Sequence, residues 1–387
     1  MSEYQYYEFQ AIDRPLTVEE IRILRSYSTR ASITPTRFSN HYEWGSFKGD
    51  PAVWIEKYFD AFFYFANWHT YELMFRLPRR ALDLELAKQY CQGGVARARS
   101  KGDFVILEFS VEDEVYGDGS DDGSGWLSSL LPLRADLVTG DYRMLYLAWL
   151  LSAQAGELND ETPEPPVPPG LGTLTAPLKA FAEFLRLDQD IIAAAAVGSA
   201  VQAEPPSDAE FAQWVTALPE SEKTAWLMRL VGRQGVHLRT ELLKAFCAAQ
   251  GQDSVPAAQP RCVGELLEVA ARLAEARKQR EAERAACERA RREQEEAAAR
   301  EKRLASLAKR EPEAWGQVDA LIATKRPGDY DAAVCLLKDL AELGQKRGRQ
   351  AEVLDRLTRL RQEHARKPTL LKRLKTAGLL GEEKRMG

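Results

Sequence analysis

The residues of this chain whose types and spacing best suit a binding chemistry are basic and lie near its C-terminus. Residues 344–375 include 11 Lys or Arg residues but only three acidic ones. Such a concentration of positive charge attracts phosphate groups, acidic proteins and anionic membrane surfaces. The candidate binding residues are Arg349, Arg356, Arg359, Lys372, Arg373 and Lys375. The spacing of the first three predicts that they share one helix face, and the other three follow on the next predicted helix.

The charge of the rest of the chain leaves this basic segment with three alternative uses. Residues 1–260 carry 23 basic and 36 acidic side chains, whereas residues 261–387 carry 30 and 22. The basic segment therefore binds an acidic partner protein, contacts nucleic acid, or docks on the acidic half of its own chain. The sequence does not decide among the three.

No catalytic or phosphate-binding motif accompanies these basic residues. The sequence contains no GxxxxGK[ST] loop, no GxGxxG, no GxSxG elbow and no HExxH pair. Its four histidines and five cysteines show no spacing typical of a metal site. We therefore expect no metal and no cofactor, and an enzymatic function is not favoured.

A partial calcium-binding loop lies in the acidic segment 111–124. Five of its residues match positions 1, 3, 5, 6 and 7 of a calcium loop, namely Asp118, Ser120, Asp122, Gly123 and Ser124. Position 12 of such a loop supplies a bidentate Glu, and here it is Ser129. Because the coordination shell then lacks two oxygens, we interpret the segment as a solvated acidic loop.

An unrecognised enzyme site in the N-terminal region is a further hypothesis. Asp60, His69, Glu72 and Arg76 lie within or just after a strongly aromatic stretch, Trp54–Phe75. Acid–base groups beside apolar surface have shifted pKa values, as catalytic groups do. The stretch itself fits either a stacking surface for single-stranded nucleic acid or ordinary core packing, and core packing is favoured.

The elements that must hold these residues begin with a small α+β domain at residues 1–124. Aromatic, alternating segments predict strands, and capped amphipathic segments predict helices. Their order suggests a small sheet with helices on one face. The predicted strands are Tyr4–Ile12, Ile33–Trp44, Tyr71–Leu77 and Asp103–Phe109, and the predicted helices are Thr17–Thr29, Trp54–Phe65 and Leu82–Tyr90.

The remainder of the chain is predicted to be predominantly α-helical. A helical extension (125–158) is followed by a linker with five prolines (159–172) and by a helical domain (173–260). A long charged helix (261–311) then leads to a basic three-helix tail or helical hairpin (312–387). In the tail, one predicted apolar face consists of Val353, Leu354, Leu357 and Leu360.

The long helix is rich in helix-forming residues and poor in large apolar ones. Residues 265–310 contain no Gly or Pro, and between Ala274 and Leu304 the apolar side chains are alanines and one Cys. A sustained coiled coil needs Leu, Ile or Val at its core positions. We therefore expect a solvated single helix with ion pairs such as Glu288–Arg292, and an alanine-based coiled coil is the alternative.

Nothing in the sequence predicts export or membrane insertion. The first residues, MSEYQYYEFQ, lack the basic and apolar regions of a secretory signal. No apolar run approaches the roughly 18 residues of a membrane span. An odd number of widely spaced cysteines fits a reducing compartment. We expect a cytoplasmic protein that makes no contact with a membrane.

Two stretches of the chain resemble known bacterial proteins. The segments MSEYQYYEFQAIDRPLT, HYEWGSFKGDP and YFDAFFYFANW are similar to a family of uncharacterised bacterial proteins, over roughly residues 1–200. Residues 330–379, which begin YDAAVCLLKDLAELGQKRGRQ, resemble the C-terminal helical segment of bacterial SWIM-type zinc-finger proteins. The SWIM motif requires a CxC pair and a CxH pair, and neither occurs here. The resemblance implies a bacterial cytoplasmic protein with a helical interaction tail and without the zinc function.

The sequence thus favours a non-enzymatic interaction or scaffold protein that binds a partner protein through its helical tail. Nucleic-acid binding by the basic C-terminal helices is the first alternative. An enzyme with an unrecognised site in the N-terminal domain is the second.

Overall fold

A computed structural model describes residues 3–112, 122–201, 207–231 and 261–379, together with residues 238, 242, 245, 246 and 249. The chain divides into two compact units, Met1–Arg277 and Lys278–Gly387. The first contains an antiparallel sheet and helices and the second is helical, which confirms the predicted α+β fold with a helical C-terminal part. The finer division into six segments stays a prediction. None of the helices in the described ranges has the length and apolarity needed to span a bilayer.

One antiparallel sheet organises the first unit. Its strands are β1 (Gln5–Gln10), β2 (Ser32–Ile33), β3 (Arg37–Tyr42), β4 (Ala61–Ala66), β5 (Thr70–Pro78), β6 (Ala96–Lys101) and β7 (Phe104–Glu112). Their spatial order is β2-β3-β1-β4-β5-β7-β6, and each neighbouring pair is antiparallel. The central position therefore belongs to β4, the most aromatic strand.

Ten helices in the described part of the first unit accompany the sheet. They are α1 (Val18–Tyr27), α2 (Pro51–Lys57), α3 (Leu84–Tyr90), α4 (Trp126–Leu130), α5 (Pro132–Thr139), α6 (Arg143–Gln154), α7 (Ala176–Phe184), α8 (Gln189–Val197), α9 (Asp208–Ala217) and α10 (Glu220–Val231). The capping box predicted at the start of α1 is confirmed. The Thr17 hydroxyl accepts the Glu20 N–H, and the Glu20 carboxylate accepts the Thr17 N–H.

Apolar side chains project from both faces of the sheet. From β4, Phe62 and Tyr64 pack with α1 and α2, whereas Phe63 and Phe65 pack with the helices from α3 to α8 on the other face. The expectation of helices on one face is therefore wrong. The physical reason is that β4 is buried at every position, so water must be excluded from both of its sides.

The predicted helix Trp54–Phe65 is wrong beyond its first turns. The helix α2 ends at Lys57, and the following aromatic run forms the strand β4. A short unbroken apolar run fits a buried strand as well as a helix, and Phe and Tyr favour strands. Asp60 lies between the two elements and is completely buried.

Residues 159–172, the predicted Pro-rich linker, pack within the first unit. The backbone N–H of Glu164 donates to the carbonyl of Arg261 at 2.8 Å. The buried Glu164 carboxylate accepts two hydrogen bonds from the Arg261 guanidinium, both 2.9 Å, and one from the Tyr146 hydroxyl. Burial, followed by the Glu164 charge, raises the pKa of Tyr146, so the phenol keeps its proton.

A single helix, α11 (Val263–Lys309), runs from the first unit into the second. Apolar residues at its start belong to the core of the first unit, and those at its end belong to the core of the second. Between them, residues 278–299 are exposed on every side except at Glu288. The predicted long charged helix is confirmed, and Glu288 lies 3.2 Å from Arg292 as predicted.

Four more helices lie in the described part of the second unit. They are α12 (Glu311–Ala323), α13 (Pro327–Lys346), α14 (Gln350–Glu363) and α15 (Pro368–Thr376). Their apolar faces form one core with the last turns of α11. The predicted tail helices correspond to α13, α14 and α15, while α12 was not predicted. The helices α13 and α14 approach closely at Gly344, where a Cβ atom would lie 2.4 Å from Val353 Cγ2.

Candidate functional site

The six basic candidate residues lie on two consecutive helices of the second unit. They are Arg349, Arg356 and Arg359, at the start of α14 or within it, and Lys372, Arg373 and Lys375 on α15. The structure confirms helices at both places. All four guanidinium groups, however, already have a partner within the same unit.

Two of the arginines bind the neighbouring helix α12. The Arg349 guanidinium lies 2.5 Å from the Glu311 carboxylate, which also binds Arg347 at 3.1 Å. The hydrogen bond to Glu311 raises the pKa of Arg349. The Arg356 guanidinium lies over the Trp315 ring, 4.8 Å from its centre, in a cation–π contact. Both side chains therefore hold α14 against α12.

Two further arginines bind carboxylates elsewhere in the unit. Arg359 lies 2.6 Å from Asp355, one turn earlier on α14. Arg373 on α15 lies 2.9 Å from Asp331 on α13. Because the first two α14 arginines contact α12 and Arg359 binds its own helix, the three do not present one common cationic face.

The two lysines of the candidate set are different. Lys372 and Lys375 are exposed on α15, and neither forms an ion pair with any residue in the described ranges. The structure therefore separates the six candidates into four with partners inside the unit and two that face solvent. Internal pairing accounts for most of the basic charge that the sequence concentrates here.

An open cleft of about 720 Å³ lies between α13 and α14. One stripe of each helix forms its walls, and Arg300 on α11 and the turn after α15 complete the lining. The apolar side chains that line it are Ala341, Val353, Leu354, Leu357 and Leu379. Leu354 is 59% exposed and is the most exposed apolar side chain of the lining.

The cleft carries a net positive charge. Glu342 is the carboxylate of its lining, and it lies 2.5 Å from Arg300 and 3.8 Å from Lys346. Lys338 also lines the cleft and forms no ion pair within the described part of the chain. Since the carboxylate is already neutralised, the remaining cations are available to a ligand.

This arrangement suits a ligand that is both apolar and charged. The lining offers an apolar floor, amides and cations, and it includes no histidine, cysteine or hydroxyl side chain. The complementary ligand has an apolar surface flanked by carboxylates.

In the first unit, Asp60 and Arg76 form a closed, buried ion pair. The Asp60 carboxylate lies 2.7 Å from Arg76 Nη2, and it accepts the backbone N–H groups of Ile12 at 2.6 Å and Asp13 at 2.9 Å. Arg134 Nη2 lies 3.9 Å from the same carboxylate. Protein donors thus surround Asp60, so the pair stabilises the junction of α2 and β4 and offers no acid or base to a substrate.

The other N-terminal candidates, Glu72 and His69, do not join this pair. Glu72 lies on β5 opposite Tyr64, where burial and then the charge of Glu108 raise the pKa of its carboxyl. Burial raises the pKa of Tyr64 to about 12. His69 lies in the turn before β5, at the far end of β4 from Asp60. The four residues therefore do not form one catalytic site.

The described residues contain no arrangement suited to a metal ion. No group of three or more His, Cys, Asp or Glu side chains in the described ranges is placed to hold one. Of the partial calcium loop, Asp118 and Ser120 lie outside the described residues. The Asp122 carboxylate accepts the N–H of Ser124 at 2.9 Å and its hydroxyl at 2.6 Å, which lowers the pKa of Asp122.

Comparison with known proteins identifies no relative of this chain. No protein-family model, no curated protein and no solved structure matches the chain. The two resemblances noted in the sequence therefore stay predictions, and the cleft is interpreted from its own residues.

The cleft was not predicted from the sequence, although one signal for it was present. The predicted apolar face of α14 had four residues, and the structure buries Val353, Leu357 and Leu360 but exposes Leu354. The apolar stripe of α14 is thus one residue wider than the buried core, which leaves Leu354 beside the cleft. The opposing stripe on α13 is mainly polar and gave no such signal.

Proposed function

We propose that this protein is a non-enzymatic interaction protein and that its C-terminal helical unit binds a partner protein. The observation that supports the proposal is the cleft between α13 and α14, where Leu354 is exposed among cationic side chains. An exposed apolar floor with a charged rim is typical of a surface that another protein covers. The proposal includes a bacterial cytoplasmic location, supported by the four free cysteines in the described ranges.

A protein partner fits this unit better than nucleic acid does. Phosphate binding needs unpaired Lys and Arg side chains along a shared surface. Four of the six candidate cations have partners within the unit, and the cleft floor is apolar. The resemblance of residues 330–379 to a helical interaction tail supports the same proposal.

Site-specific photo-cross-linking in cells that naturally express the chain tests this function. A photoreactive phenylalanine analogue replaces Leu354 in the full chain, and in a matched control it replaces Leu227 on α10, an equally exposed leucine of the first unit. We expect a discrete protein adduct from position 354 and not from position 227. The partner, identified by mass spectrometry and then purified, should bind the full chain in isothermal calorimetry.

Two results would overturn the proposal. One is an adduct at position 354 that nuclease removes and protease does not, since the partner would then be a nucleic acid. The other is protein adducts at position 227 with none at position 354, which would move the binding surface to the first unit.

Nucleic-acid binding is the second candidate function, and the exposed lysines of α15 favour it. Lys372 and Lys375 are the two candidate residues that have neither a carboxylate nor an aromatic partner among the described residues. Fluorescence anisotropy of labelled DNA and RNA with the full chain, at about 50 and about 200 mM salt, measures any phosphate contacts. If this function holds, the double change Lys372→Glu and Lys375→Glu weakens binding to all sequences alike. Under our main proposal neither nucleic acid binds tightly.

A further inference from the structure

We propose that the cleft between α13 and α14 is a docking groove for an amphipathic α-helix whose polar face is acidic. This inference rests on the proposed function, because it names the part of the partner that the C-terminal unit binds. It assigns the contact to one groove and the partner segment to one chemistry. The groove geometry, its apolar floor and its charge each support it.

The walls of the groove have helical periodicity. On α13 the lining residues are 338, 341, 342, 345 and 346, and on α14 they are 350, 353, 354 and 357. Each set follows the i, i+3, i+4, i+7 spacing of one helix stripe. At a rise of 1.5 Å per residue, the α13 stripe extends about 12 Å, or roughly two helical turns. A third helix laid between two such stripes meets them with its own anchors at the same spacing.

The close approach of the two wall helices fixes the shape of the groove. Gly344 of α13 lies against Val353 of α14, so tightly that a Cβ atom would clash with the valine methyl group. Val353 and Leu357 are buried in the core below the groove. The walls are therefore held by core packing, and little ordering is required when a helix binds.

The floor of the groove provides a hydrophobic contact at its centre. Leu354 is 59% exposed and lines the groove with Ala341 and Leu379, both of which are half-buried. Burial of this leucine against an apolar side chain of the partner removes its surface from water. Large apolar side chains in the middle of an interface usually carry much of its affinity.

The rim of the groove selects the charge of the incoming helix. Arg300 and Lys346 both lie next to Glu342, which leaves the three side chains with one net positive charge. Lys338 adds a second positive charge and has no ion pair among the described residues. Carboxylates on the polar face of a bound helix would lie beside these cations, whereas lysines there would be repelled.

A displayed library of helical peptides tests the groove directly. Each peptide of about 18 residues has leucine at i, i+3, i+4 and i+7 and a random choice of Glu or Lys at its other positions. Selection against the full chain should enrich Glu over Lys. Leu354→Glu and Lys338→Glu should each weaken the binding of a selected peptide by about tenfold or more. The matched control Lys372→Glu, an equal charge change on exposed α15, should leave the affinity unchanged.

Each contrary outcome has a distinct meaning. Three results would overturn the groove proposal. The first is that no peptide is selected, and the second is that Glu and Lys are enriched equally. The third is that Leu354→Glu leaves the affinity for a selected peptide unchanged. Circular dichroism of each variant shows whether the helices persist, so a lost affinity is not mistaken for unfolding. If photo-cross-linking in the second unit still identifies a protein partner, the proposed function stands while the groove fails. If the cross-linking fails too, both proposals fall.

Discussion

Two carboxylates, one in each unit, bridge arginines in very different surroundings. In the first unit, Asp60 binds Arg76 and lies near a second buried arginine, and its side chain is 1% exposed. In the second unit, Glu311 binds Arg347 and Arg349, its side chain is 19% exposed, and both arginines are more than a third exposed. The same pairing of groups therefore occurs both in the interior and at the surface.

This contrast in exposure decides which of the two ion pairs can exchange its partner. A buried ion pair is surrounded by protein donors, and separating its members leaves an uncompensated charge in a medium of low dielectric constant. A surface pair exchanges its partner for water at little cost. The buried Asp60–Arg76 pair thus helps to specify the fold of the first unit, whereas Glu311 and its two arginines can exchange partners with a ligand.

The largest expected effect comes from neutralising the buried carboxylate. Asp60→Asn keeps the size of the side chain but leaves the buried Arg76 guanidinium without a counter-charge. We expect a loss of about 3–5 kcal/mol in the free energy of unfolding of the first unit. Urea denaturation followed by tryptophan fluorescence measures it, because seven of the eight tryptophans lie in that unit.

A matched control for this change is Asp355→Asn in the second unit. Asp355 binds Arg359 on an exposed helix surface, so its loss should lower the free energy of unfolding of the second unit little, as measured by hydrogen exchange in α14. Similar losses from Asp60→Asn and Asp355→Asn would show that burial does not distinguish the two regions as we infer.

The second prediction tests how tightly the helices of the second unit pack against each other. Gly344→Ala places a methyl group 2.4 Å from Val353 Cγ2, and the branched valine side chain has little freedom to move. We expect a loss of about 1–3 kcal/mol, partly offset by the better helix propensity of alanine. Hydrogen exchange in α13 and α14 reports it.

Gly316→Ala is the control for this prediction. A Cβ atom at Gly316 in α12 meets nothing within 4 Å, so the same change should stabilise that helix by up to about 1 kcal/mol. In a Val353→Ala background, Gly344→Ala should also become harmless. If it remains as costly there, the close approach does not explain the effect.

The local elements of this fold were largely predictable from the sequence. The capping box at Thr17 and Glu20 and the long helix α11 follow from short-range signals, and both are present. The strand β6 (ARARSK) was missed, because small and basic residues alternate in it and it is buried on one face only. The strand β4 was mistaken for helix, because its aromatic run has no period and its burial comes from distant helices.

The candidate site was less predictable, because it depends on which helix faces meet. The sequence identified the basic residues of α14 and α15 but not their partners, which lie on the unpredicted helix α12 or elsewhere in the unit. The groove requires the stripes of α13 and α14 to lie side by side. That pairing is set by tertiary packing at Gly344, which no local pattern encodes.

The third prediction concerns Glu20, a carboxylate of the first unit whose side chain is 18% exposed. The hydrogen bond from Arg14 chiefly, with help from the Thr17 N–H, lowers the pKa of Glu20 to about 2. A lowered pKa means that the ionised form stabilises the fold above the unfolded value of about 4.5, and that this contribution is lost as pH falls towards about 2. Glu20→Gln should cost about 0.5–1 kcal/mol at pH 7, because Arg14 is half exposed and solvent weakens the pair.

Urea denaturation at several pH values checks the direction of this pH dependence. The stability difference between wild type and Glu20→Gln should narrow steadily as pH falls below about 4.5, since protonation then removes the same charge from the wild type. Glutamine retains the capping hydrogen bonds, so the substitution isolates the effect of the Glu20 charge. A stability difference that stays constant down to pH 3 would mean that this charge does not stabilise the fold as proposed.

The smallest expected effect is that of Glu311→Gln, the surface counterpart of Asp60→Asn. The substitution removes the charge that binds Arg347 and Arg349 but keeps a side chain that accepts hydrogen bonds. We expect a loss several-fold smaller than that of Asp60→Asn, because water replaces the carboxylate around both exposed guanidinium groups. Hydrogen exchange of α12 and α14 measures Glu311→Gln, and urea denaturation of the first unit measures Asp60→Asn. Both are repeated at low salt and at about 1 M NaCl, where the screening length is about 3 Å. The effect of Glu311→Gln should vanish at high salt while that of Asp60→Asn persists, since salt ions reach only the surface pair. A salt-resistant effect at Glu311 would place this carboxylate with the buried one and would remove the distinction on which the binding role of the second unit depends.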